Sequence, residues 1–291
     1  MYKIIHKQVI AQDIKKIDVA AALIARRALP GQFVMVTPAA EEHQIPMTII
    51  DSDERRSTIS LLVHEVGPAT RRLGGLAIGE NIYQVKGPLG QGSRLEKYGL
   101  VICVATGVGA AQILPVCRAL KKKGNKVIGI IGAKSKKVLM LESQMRVVCD
   151  DLFITTNDGS YERKGFATGL LKELLEKYTV QRVYAIGNVE MMQAASRMTS
   201  SKNIPLRVTL NPYMIDGLGT CGSCRVKING EFRLACTDGP EFDGHAVDYQ
   251  DLTQRMNVLE PKVWHEPFHP TVPRRPGFAK LLKSLWVSTK R

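Results

Sequence analysis

The sequence lacks the features that would place it in or across a membrane. It has no apolar run of about 18 residues, the length that marks a transmembrane helix. Residues 1–9 alternate polar and apolar types, as a strand does, and they lack the long apolar core of a signal peptide. We therefore expect a cytoplasmic protein without stable membrane insertion.

Aromatic residues are also scarce, at 6% of the 291 residues, although the chain carries a net charge of +14. Its basic clusters are scattered and have few aromatic residues among them, whereas proteins that bind single strands combine a basic groove with aromatic stacking platforms. We therefore expect no nucleic-acid partner. The positive surface suits acidic ligands and an acidic protein partner equally well.

Clusters of Pro, Gly and Asp divide residues 1–98 into short segments of alternating polarity. About six such strands, with one short helix at residues 70–76, predict an all-β domain built as an antiparallel barrel. The predicted strands are residues 2–10, 13–20, 32–37, 47–50, 58–66 and 81–86.

The pattern changes at Gly99 to alternating strands and helices. Residues 100–105 form a nearly continuous apolar run, as expected of a strand buried on both faces, and residues 110–123 have helical periodicity. This alternation predicts a parallel, doubly wound α/β sheet over residues 99–210. Further strands are predicted at residues 126–131, 147–155, 182–186 and 206–209, and further helices around residues 139–145, 169–177 and 189–198.

Two smaller units follow the α/β domain. Residues 211–250 are rich in glycine, contain three cysteines and have too little apolar material for a separate core, which indicates a subdomain held by a metal. Residues 251–291 form a basic, proline-rich tail that we expect to be extended and to end in a short helix at residues 278–286. We expect that short helix to dock on a partner.

The loop Thr106-Gly107-Val108-Gly109 stands between a predicted strand and a predicted helix, as in dinucleotide-binding turns. The glycines allow a tight turn, and the helix N-terminus attracts phosphate. Gly187 follows another strand at the same predicted sheet edge, where ligands of open α/β sheets bind. Because Gln112 stands in place of the third glycine of G-x-G-x-x-G, an ordinary tight turn is the alternative. The basic run at residues 134–137 is either a solvated loop or a contact for a 2′-phosphate.

Asp216, Cys221, Cys224 and Cys236 follow the spacing of a plant-type two-iron cluster, C-x4-C-x2-C and a distant cysteine, with aspartate first. Zinc held by the three cysteines and either Asp216 or His245 is the competing interpretation. Close cysteines in a cytosolic protein favour a metal over disulfides. The other cysteines stand among apolar neighbours, and we interpret them as buried, inert thiols: Cys103, Cys117 and Cys149.

Longer motifs occur from the N-terminus to about Met256. They are Pro30-Gly31-Gln32-Phe33, Ile45-Pro46-Met47-Thr48-Ile49, Gly87-Pro88-Leu89-Gly90, Asp158-Gly159-Ser160, Lys164-Gly165-Phe166, the run from Asp216-Gly217 to Cys224, and Ala235-Cys236 with Asp238-Gly239-Pro240-Glu241-Phe242. With these motifs the chain resembles the ferredoxin–NADP reductase superfamily, in its branch of dihydroorotate dehydrogenase electron-transfer subunits. Within that branch it is similar to small subunits of flavin-bifurcating transhydrogenases.

The resemblance implies an electron-transfer oxidoreductase subunit that contains FAD and one [2Fe–2S] cluster and reacts with NAD(H) or NADP(H). It implies that Asp216 is a cluster ligand, and that the flavin exchanges electrons with a larger flavin and iron–sulfur subunit, with ferredoxin as a further partner. Because the cofactors carry the chemistry, no catalytic side chain is expected. The flavin contacts that the resemblance implies are Ile45, Pro46, Met47 and Thr48, then Leu62, Val63 and His64, and then Ala69 and Thr70 at a helix N-terminus.

Two other functions stay open from the sequence. The family commonly has an arginine before the proline of its flavin motif, but here the sequence is His43-Gln44-Ile45-Pro46. A scaffold subunit with a zinc-stabilised segment and a degenerate flavin fold is therefore the first alternative. Nucleic-acid binding through the basic tail after Met256 is the second, and it predicts binding that weakens steeply with salt.

Overall fold

Seven antiparallel strands form the N-terminal sheet, in the order β6-β1-β2-β5-β4-β3-β7. The structure is a computed structural model that describes residues 2–263, and the residues up to Asn257 belong to one compact unit. The strands are β1 (Tyr2–Ala11), β2 (Ile14–Ala20), β3 (Phe33–Thr37), β4 (Ile45–Asp53), β5 (Thr58–His64), β6 (Asn81–Ile82) and β7 (Gln84–Leu89).

This sheet curls into a nearly closed barrel, as predicted. Its two edge strands, β6 and β7, pair with β1 and β3, and Tyr83 alone separates them in the chain. The edges therefore meet, which removes most of the unpaired edge that an open sheet exposes. Alternate side chains fill the interior, where Ile17, Val34 and Leu61 are fully buried.

The barrel differs from the predicted elements in three details. The predicted strand at residues 81–86 is two strands, because the chain turns at Tyr83 to cross from one sheet edge to the other. Helix α1 (Ala22–Arg27) was not predicted. Helix α2 (Pro68–Gly75) begins two residues before the prediction, because Pro68 fits a first helical turn and the Thr70 hydroxyl bonds both backbone groups of Gly67.

A second seven-stranded sheet has the order β11-β10-β9-β8-β12-β13-β16 and is parallel except for β16. Its central strands confirm the predicted doubly wound α/β architecture. The strands are β8 (Leu100–Thr106), β9 (Lys126–Ala133), β10 (Asp151–Thr156), β11 (Arg163–Lys164), β12 (Arg182–Ile186), β13 (Leu206–Thr209) and, after a hairpin of β14 (Arg225–Ile228) and β15 (Glu231–Leu234), β16 (Glu241–Asp243).

Helices cover both faces of this sheet. Helices α3 (Gly109–Lys122) and α4 (Glu142–Val148) share one core with Ile14, Ile50 and Leu62 of the barrel. Helices α5 (Ala167–Lys177) and α6 (Val189–Ser200) pack in a second core on the other face, with Phe33 and Met35. Both cores therefore contain residues of both sheets, and this shared burial joins the sheets into one unit.

The predictions for α4 and β10 were shifted along the chain. The expected helix at residues 139–145 begins at Glu142, and the expected strand at 147–155 begins at Asp151. Leu141 has a φ of +59°, a left-handed conformation that a helix cannot contain. Residues 136–138 form a short 3-10 turn and Leu139 is extended, so the α-helix starts only after Leu141, and the start of β10 is displaced with it.

Residues 211–240, here called the cysteine segment, leave and rejoin the second sheet at neighbouring points. The N–H of Leu210 donates to the carbonyl of Pro240 at 2.9 Å, which closes the base of the segment between β13 and β16. The segment also lies against the barrel, where Gly217 packs on Met35 and Leu89 so closely that a β-carbon would clash. The side chain of Gln91 donates to the carbonyl of Thr237 at 2.8 Å.

The part of the tail that the structure describes is helical, which corrects the expected extended arm. Helix α7 (Tyr249–Val263) is capped by Asp248, which accepts a hydrogen bond from the N–H of Asp251 at 3.0 Å, and Leu252 anchors it in the core. The first tail proline, Pro261, falls only near the end of α7, so the turns before it form without a proline. The expected helix at 278–286 lies outside the described residues. Within residues 2–263, no helix has the length and hydropathy needed to cross a membrane.

Glu241 joins the barrel to the second sheet. Its carboxylate is 6% exposed and accepts hydrogen bonds from Arg207 Nε at 3.0 Å and from Ser93 Oγ at 2.6 Å. Glu241→Gln should lower the free energy of unfolding by about 2–3 kcal/mol, because hydrogen bonds to a buried charge are lost. Chemical denaturation measures this change.

Glu173→Gln is the matched control. Glu173 pairs with Arg163 at the surface, where both side chains are about half exposed. The control should change the free energy of unfolding by less than about 1 kcal/mol. Equal losses in the two variants would contradict the anchoring role of Glu241.

Candidate functional site

The predicted phosphate turn lies where β8 ends and α3 begins. Gly107 has a φ of +54°, which a glycine adopts without strain. A β-carbon on Gly109 would clash with the carbonyl oxygen of Ile186, and one on Gly187 would clash with the Thr106 hydroxyl. These glycines therefore let the start of α3 and the end of β12 touch, and they bring the two predicted loops together.

A cleft of about 760 Å³ opens at the carboxyl edge of the second sheet, where the helices that follow the paired strands β8 and β12 pack on opposite faces. This is the switch point at which open α/β sheets bind ligands. Six predicted site residues line it: His64, Thr106, Gly107, Val108, Gly109 and Gly187. Sequence reasoning missed other lining residues, which include Ile14, Met140, Asn157, Phe166, Asn188 and Asn211.

Two helix N-termini point at this cleft, because Gly109 of α3 and Ala167 of α5 both line it. Neither helix has a side-chain cap or an acidic residue in its first turn, as far as the described residues show. Their first N–H groups and positive dipole ends are therefore open to an anion. Lys134 also lines the cleft, where its side chain can contact a ligand. Lys136 instead has its Nζ 4.5 Å from the centre of the Tyr161 ring.

Gln112 occupies the place of the third glycine for a structural reason. The close helix–strand approach that such a glycine serves is made one turn earlier, at Gly109. The Gln112 side chain instead forms a reciprocal pair with Asn211: each amide nitrogen donates to the other oxygen, at 3.0 and 2.9 Å. The missing glycine therefore does not count against a nucleotide site here.

The expected flavin residues on the barrel fall into two groups. Ile45, Met47, Val63 and Ala69 lie in the barrel core, so they can offer a ligand mainly their backbone. Pro46 is exposed and Thr48 half-buried, as β alternation requires, and they face away from that core. Leu62 packs on the second sheet, and the Thr70 hydroxyl is engaged with Gly67.

A cation lies beside the flavin motif although the local sequence lacks one. Lys86 Nζ on β7 donates to Gln44 Oε1 at 3.2 Å, and Gln44 Nε2 donates to the carbonyl of Ile215 at 2.7 Å. Lys86 is 42 residues away in the chain, so no local motif could reveal it. The absent arginine therefore does not leave this position without positive charge.

Asp216 organises the loop that contains Cys221. One carboxylate oxygen accepts the N–H groups of Leu218 and Gly219, and the other accepts those of Thr220 and Cys221, at 2.7 to 3.2 Å. The Thr220 hydroxyl also donates to it, and these bonds hold the pKa of Asp216 well below its ordinary value. The loop is thus a ring of N–H donors around a negative group.

The cysteines of this segment differ in environment. Cys224 and Cys236 are 1% exposed, and their sulfurs are 3.3 Å apart. Burial and then the adjacent Cys224 thiol raise the pKa of Cys236 to about 12. Cys221 is exposed. Desolvation is the largest single influence on its thiol and opposes ionisation, but the hydrogen bonds from Ser223 and the neighbouring backbone together lower its pKa.

The donor set fits an iron–sulfur cluster in chemistry and in part in geometry. A tetrahedral metal with bonds of about 2.3 Å holds two sulfurs about 3.8 Å apart, so Cys224 and Cys236 need to separate only slightly to bind one metal atom. Within the described residues, no three His, Cys, Asp or Glu side chains already surround one metal position. Asp216 and Cys221 share a glycine-rich loop, and Asp216 would have to release some of its N–H partners to become a ligand.

The remaining candidates lie apart from this set. The His245 ring is 2.9 Å from the Thr199 hydroxyl on α6, so it is engaged there rather than with the cysteines. Cys103, Cys117 and Cys149 are buried in the core around α3, as predicted. A hydrogen bond with Cys103 and burial raise the pKa of Cys117, which keeps that thiol protonated and inert.

The barrel, the doubly wound sheet and the segment between β13 and β16 together define a ferredoxin-reductase-type fold with an iron–sulfur binding domain. Residues 211–248 match the family model of the iron–sulfur cluster binding domain of dihydroorotate dehydrogenase B. The Amycolatopsis cytochrome P450 reductase GcoB shares the fold at 17% identity, with a TM-score of 0.59 over 70% of this chain and 66% of that one. The class is therefore an electron-transfer oxidoreductase subunit.

The chain belongs to the family of dihydroorotate dehydrogenase B electron transfer subunits. A homologue of that subunit in Thermotoga maritima is 35% identical over 87% of this chain and 90% of its own length. An uncharacterized Clostridium beijerinckii protein is 37% identical over 89% and 91%. The solved structure of an NADH-dependent reduced ferredoxin-NADP oxidoreductase, described for flavin-based electron bifurcation, matches with 33% identity and a TM-score of 0.85 over 89% of this chain and 94% of that one.

Gly109→Ala should disturb the cleft by forcing α3 away from Ile186. We expect the free energy of unfolding to fall by about 1–3 kcal/mol, because the added methyl group meets rigid backbone. The control is Gly169→Ala in α5, whose β-carbon would meet no other described atom within 4 Å. It should be neutral or stabilising by up to about 1 kcal/mol. Denaturation curves in which both variants match the wild type would contradict the close contact.

Proposed function

We propose that this protein transfers electrons between NAD(P)(H), FAD, a [2Fe–2S] cluster and a larger partner subunit. One observation carries the proposal: the cleft and the cysteine segment lie in one unit and share Asn211. That residue lines the cleft and also begins the segment. The proposed nucleotide site therefore adjoins the start of the segment that contains the proposed cluster ligands.

The residues of the cleft bind and orient the nucleotide. Val108 and Gly109 offer backbone N–H groups and the α3 dipole to the pyrophosphate. The N–H of Gly107 donates to the carbonyl of Gly132 at 3.2 Å, so Gly107 contributes the tight turn, and Gly187 leaves the adjacent wall without a side chain. Thr106 packs between the two loops. No side chain has to supply or remove a proton for hydride transfer, so we assign no catalytic residue.

The barrel residues would hold FAD between the barrel and the second sheet. Ile45 and Met47 would contribute backbone groups, Pro46 and Thr48 side chains, and Leu62, Val63 and His64 the next strand. Ala69 and Thr70 would present the N–H groups at the start of α2 to the flavin pyrophosphate. When bound, the flavin and cluster supply the conversion of a two-electron hydride into single electrons.

Asp216, Cys221, Cys224 and Cys236 would hold the cluster. The cysteine segment is exposed at Ile215, Leu218 and Cys221, so a partner can approach it closely. The names of the relatives support a larger partner, since they are electron transfer subunits of a larger enzyme. We propose a flavin and iron–sulfur subunit as that partner, in a complex of the bifurcating type, with ferredoxin as a further one.

The first test is the visible spectrum of the full chain, purified without oxygen, together with flavin, iron, sulfide and zinc analysis. We expect flavin bands and equal amounts of iron and sulfide, with bleaching by NADH or NADPH that also identifies the preferred nucleotide. Zinc without flavin would overturn the proposal and leave the scaffold function. Iron without flavin would mean that Lys86 does not replace the usual arginine.

A second test uses the cysteines. Cys224→Ala and Cys236→Ala should each lose nearly all iron, because each removes one of the two adjacent thiolates at the buried end of the segment. Cys149→Ala is the control, since Cys149 is buried in a different core, and it should retain its iron. Iron analysis of the three purified variants would contradict the assignment if the segment variants kept their iron.

A further inference from the structure

The Gln112–Asn211 pair is a polar feature that the proposed function does not use. Gln112 lies in the first turns of α3, and Asn211 follows β13, so the pair joins the phosphate helix to the start of the cysteine segment. The two hydrogen bonds, 3.0 and 2.9 Å long, fix the Asn211 side chain at the wall of the cleft. Nothing in phosphate binding requires such an arrangement.

The reciprocal pair uses only some of the hydrogen-bonding groups of its two amides. An amide has two N–H donors and two lone pairs on oxygen, and a reciprocal pair uses one of each. Asn211 therefore keeps one N–H and one lone pair, whichever way the two amides are turned. Its exposed side chain stands beside apolar cleft residues, among them Val108, Met191 and Ala194. Its natural ligand is a group that offers one acceptor and one donor side by side, as a carboxamide does.

The cleft has the length to place that carboxamide. It follows the carboxyl edge of the sheet from Asn157, after β10, to Asn211, after β13, with the phosphate turn after β8 between them. Four strand spacings of about 4.8 Å make this span about 19 Å. A dinucleotide bound with its pyrophosphate at Gly107–Gly109 thus has one nucleoside towards Asn157 and the other towards Asn211.

The Asn211 end is the end that faces the flavin strand. Four residues after Asn211, the carbonyl of Ile215 accepts a hydrogen bond from Gln44, which immediately precedes the expected flavin residues Ile45 and Pro46. Lys134, which follows β9, and Asn157, which follows β10, lie towards the opposite end of the cleft. Since the nicotinamide is the part that must reach the flavin, it belongs at Asn211, and the adenosine belongs at Asn157.

We propose that Asn211 recognises the carboxamide of the nicotinamide ring and that Gln112 is the positioning residue that holds it. This inference rests on the proposed function. It adds the residue that distinguishes the carboxamide of the nicotinamide ring from other substituents at the same ring position. It also fixes the direction in which the dinucleotide lies along the sheet edge.

The test measures binding at equilibrium. The full flavin-containing chain is titrated calorimetrically with oxidised NAD or NADP, whichever form serves the wild type, and with its 3-acetylpyridine analogue, which has a methyl group in place of the amide nitrogen. We expect the wild type to prefer the nicotinamide form roughly fivefold to tenfold, the value of one hydrogen bond. In Asn211→Leu that preference should fall to about one, because the variant side chain has no polar group to satisfy.

Variants of the two neighbouring amides complete the design. Gln112→Leu should lose most of the preference, whereas Gln112→Glu keeps an acceptor for the Asn211 N–H and should retain it. Asn157→Leu is the matched control at the other end of the cleft: it should weaken the two ligands equally and leave their ratio unchanged. Flavin content and thermal melting establish that each variant is folded.

The outcomes separate this inference from the function on which it rests. A wild type that neither binds dinucleotide nor is bleached by NADH or NADPH would overturn the proposed function. A wild type that binds and is bleached, with a preference that survives in Asn211→Leu or is lost equally in Asn157→Leu, would overturn the assignment of Asn211 alone.

Discussion

The first turn of α3 touches the end of β12 at a separation that leaves no room for a side chain at position 109. This contact brings Thr106, Gly107 and Gly187 around one point at the sheet edge, and it aims the α3 N-terminus into the cleft. It also fixes the position of Gln112, three residues further along the helix, so that the Gln112 side chain reaches Asn211. The phosphate turn, the amide pair and the start of the cysteine segment therefore all depend on a single backbone contact.

Local pattern was sufficient for the elements whose signal is local. The strands at residues 182–186 and 206–209 are confirmed to the residue, because turn-forming residues mark their limits: Gly187 follows the first strand and Pro205 precedes the second. Hydrophobicity was misleading at residues 138–141, where an apolar run beside the cleft passes from a 3-10 turn through the extended Leu139 to the left-handed Leu141. Hydrophobicity alone does not distinguish a buried helix from a buried extended segment, since both exclude water.

The residues of the candidate site also fall into those that a local motif reveals and those that only the fold brings together. The phosphate turn and the cysteine spacing are short motifs, so the sequence contains them whole. Asn157 and Asn211 come from the ends of different strands, and Lys86 on β7 lies beside the flavin motif on β4 because β3 pairs with both strands. Their positions follow from strand order, which no single stretch of residues encodes. His245, one of two possible fourth ligands in the zinc alternative, shows the same limit: it is close to the cysteines in sequence, but its ring contacts Thr199 of α6.

The cysteine segment is an insertion between β13 and β16, and the hydrogen bond between Leu210 and Pro240 joins its two ends. The chain departs from the sheet and returns to it at almost the same point, so β13 and β16 pair without regard to the length of the excursion between them. An electron relay could therefore have been added to an older nucleotide-binding protein, or lost from one, without rebuilding its sheet. The contacts of the segment with the N-terminal domain would then be the part that had to evolve, because they hold the segment in a fixed position: Gly217 on Met35, Ile215 with Gln44, and Thr237 with Gln91.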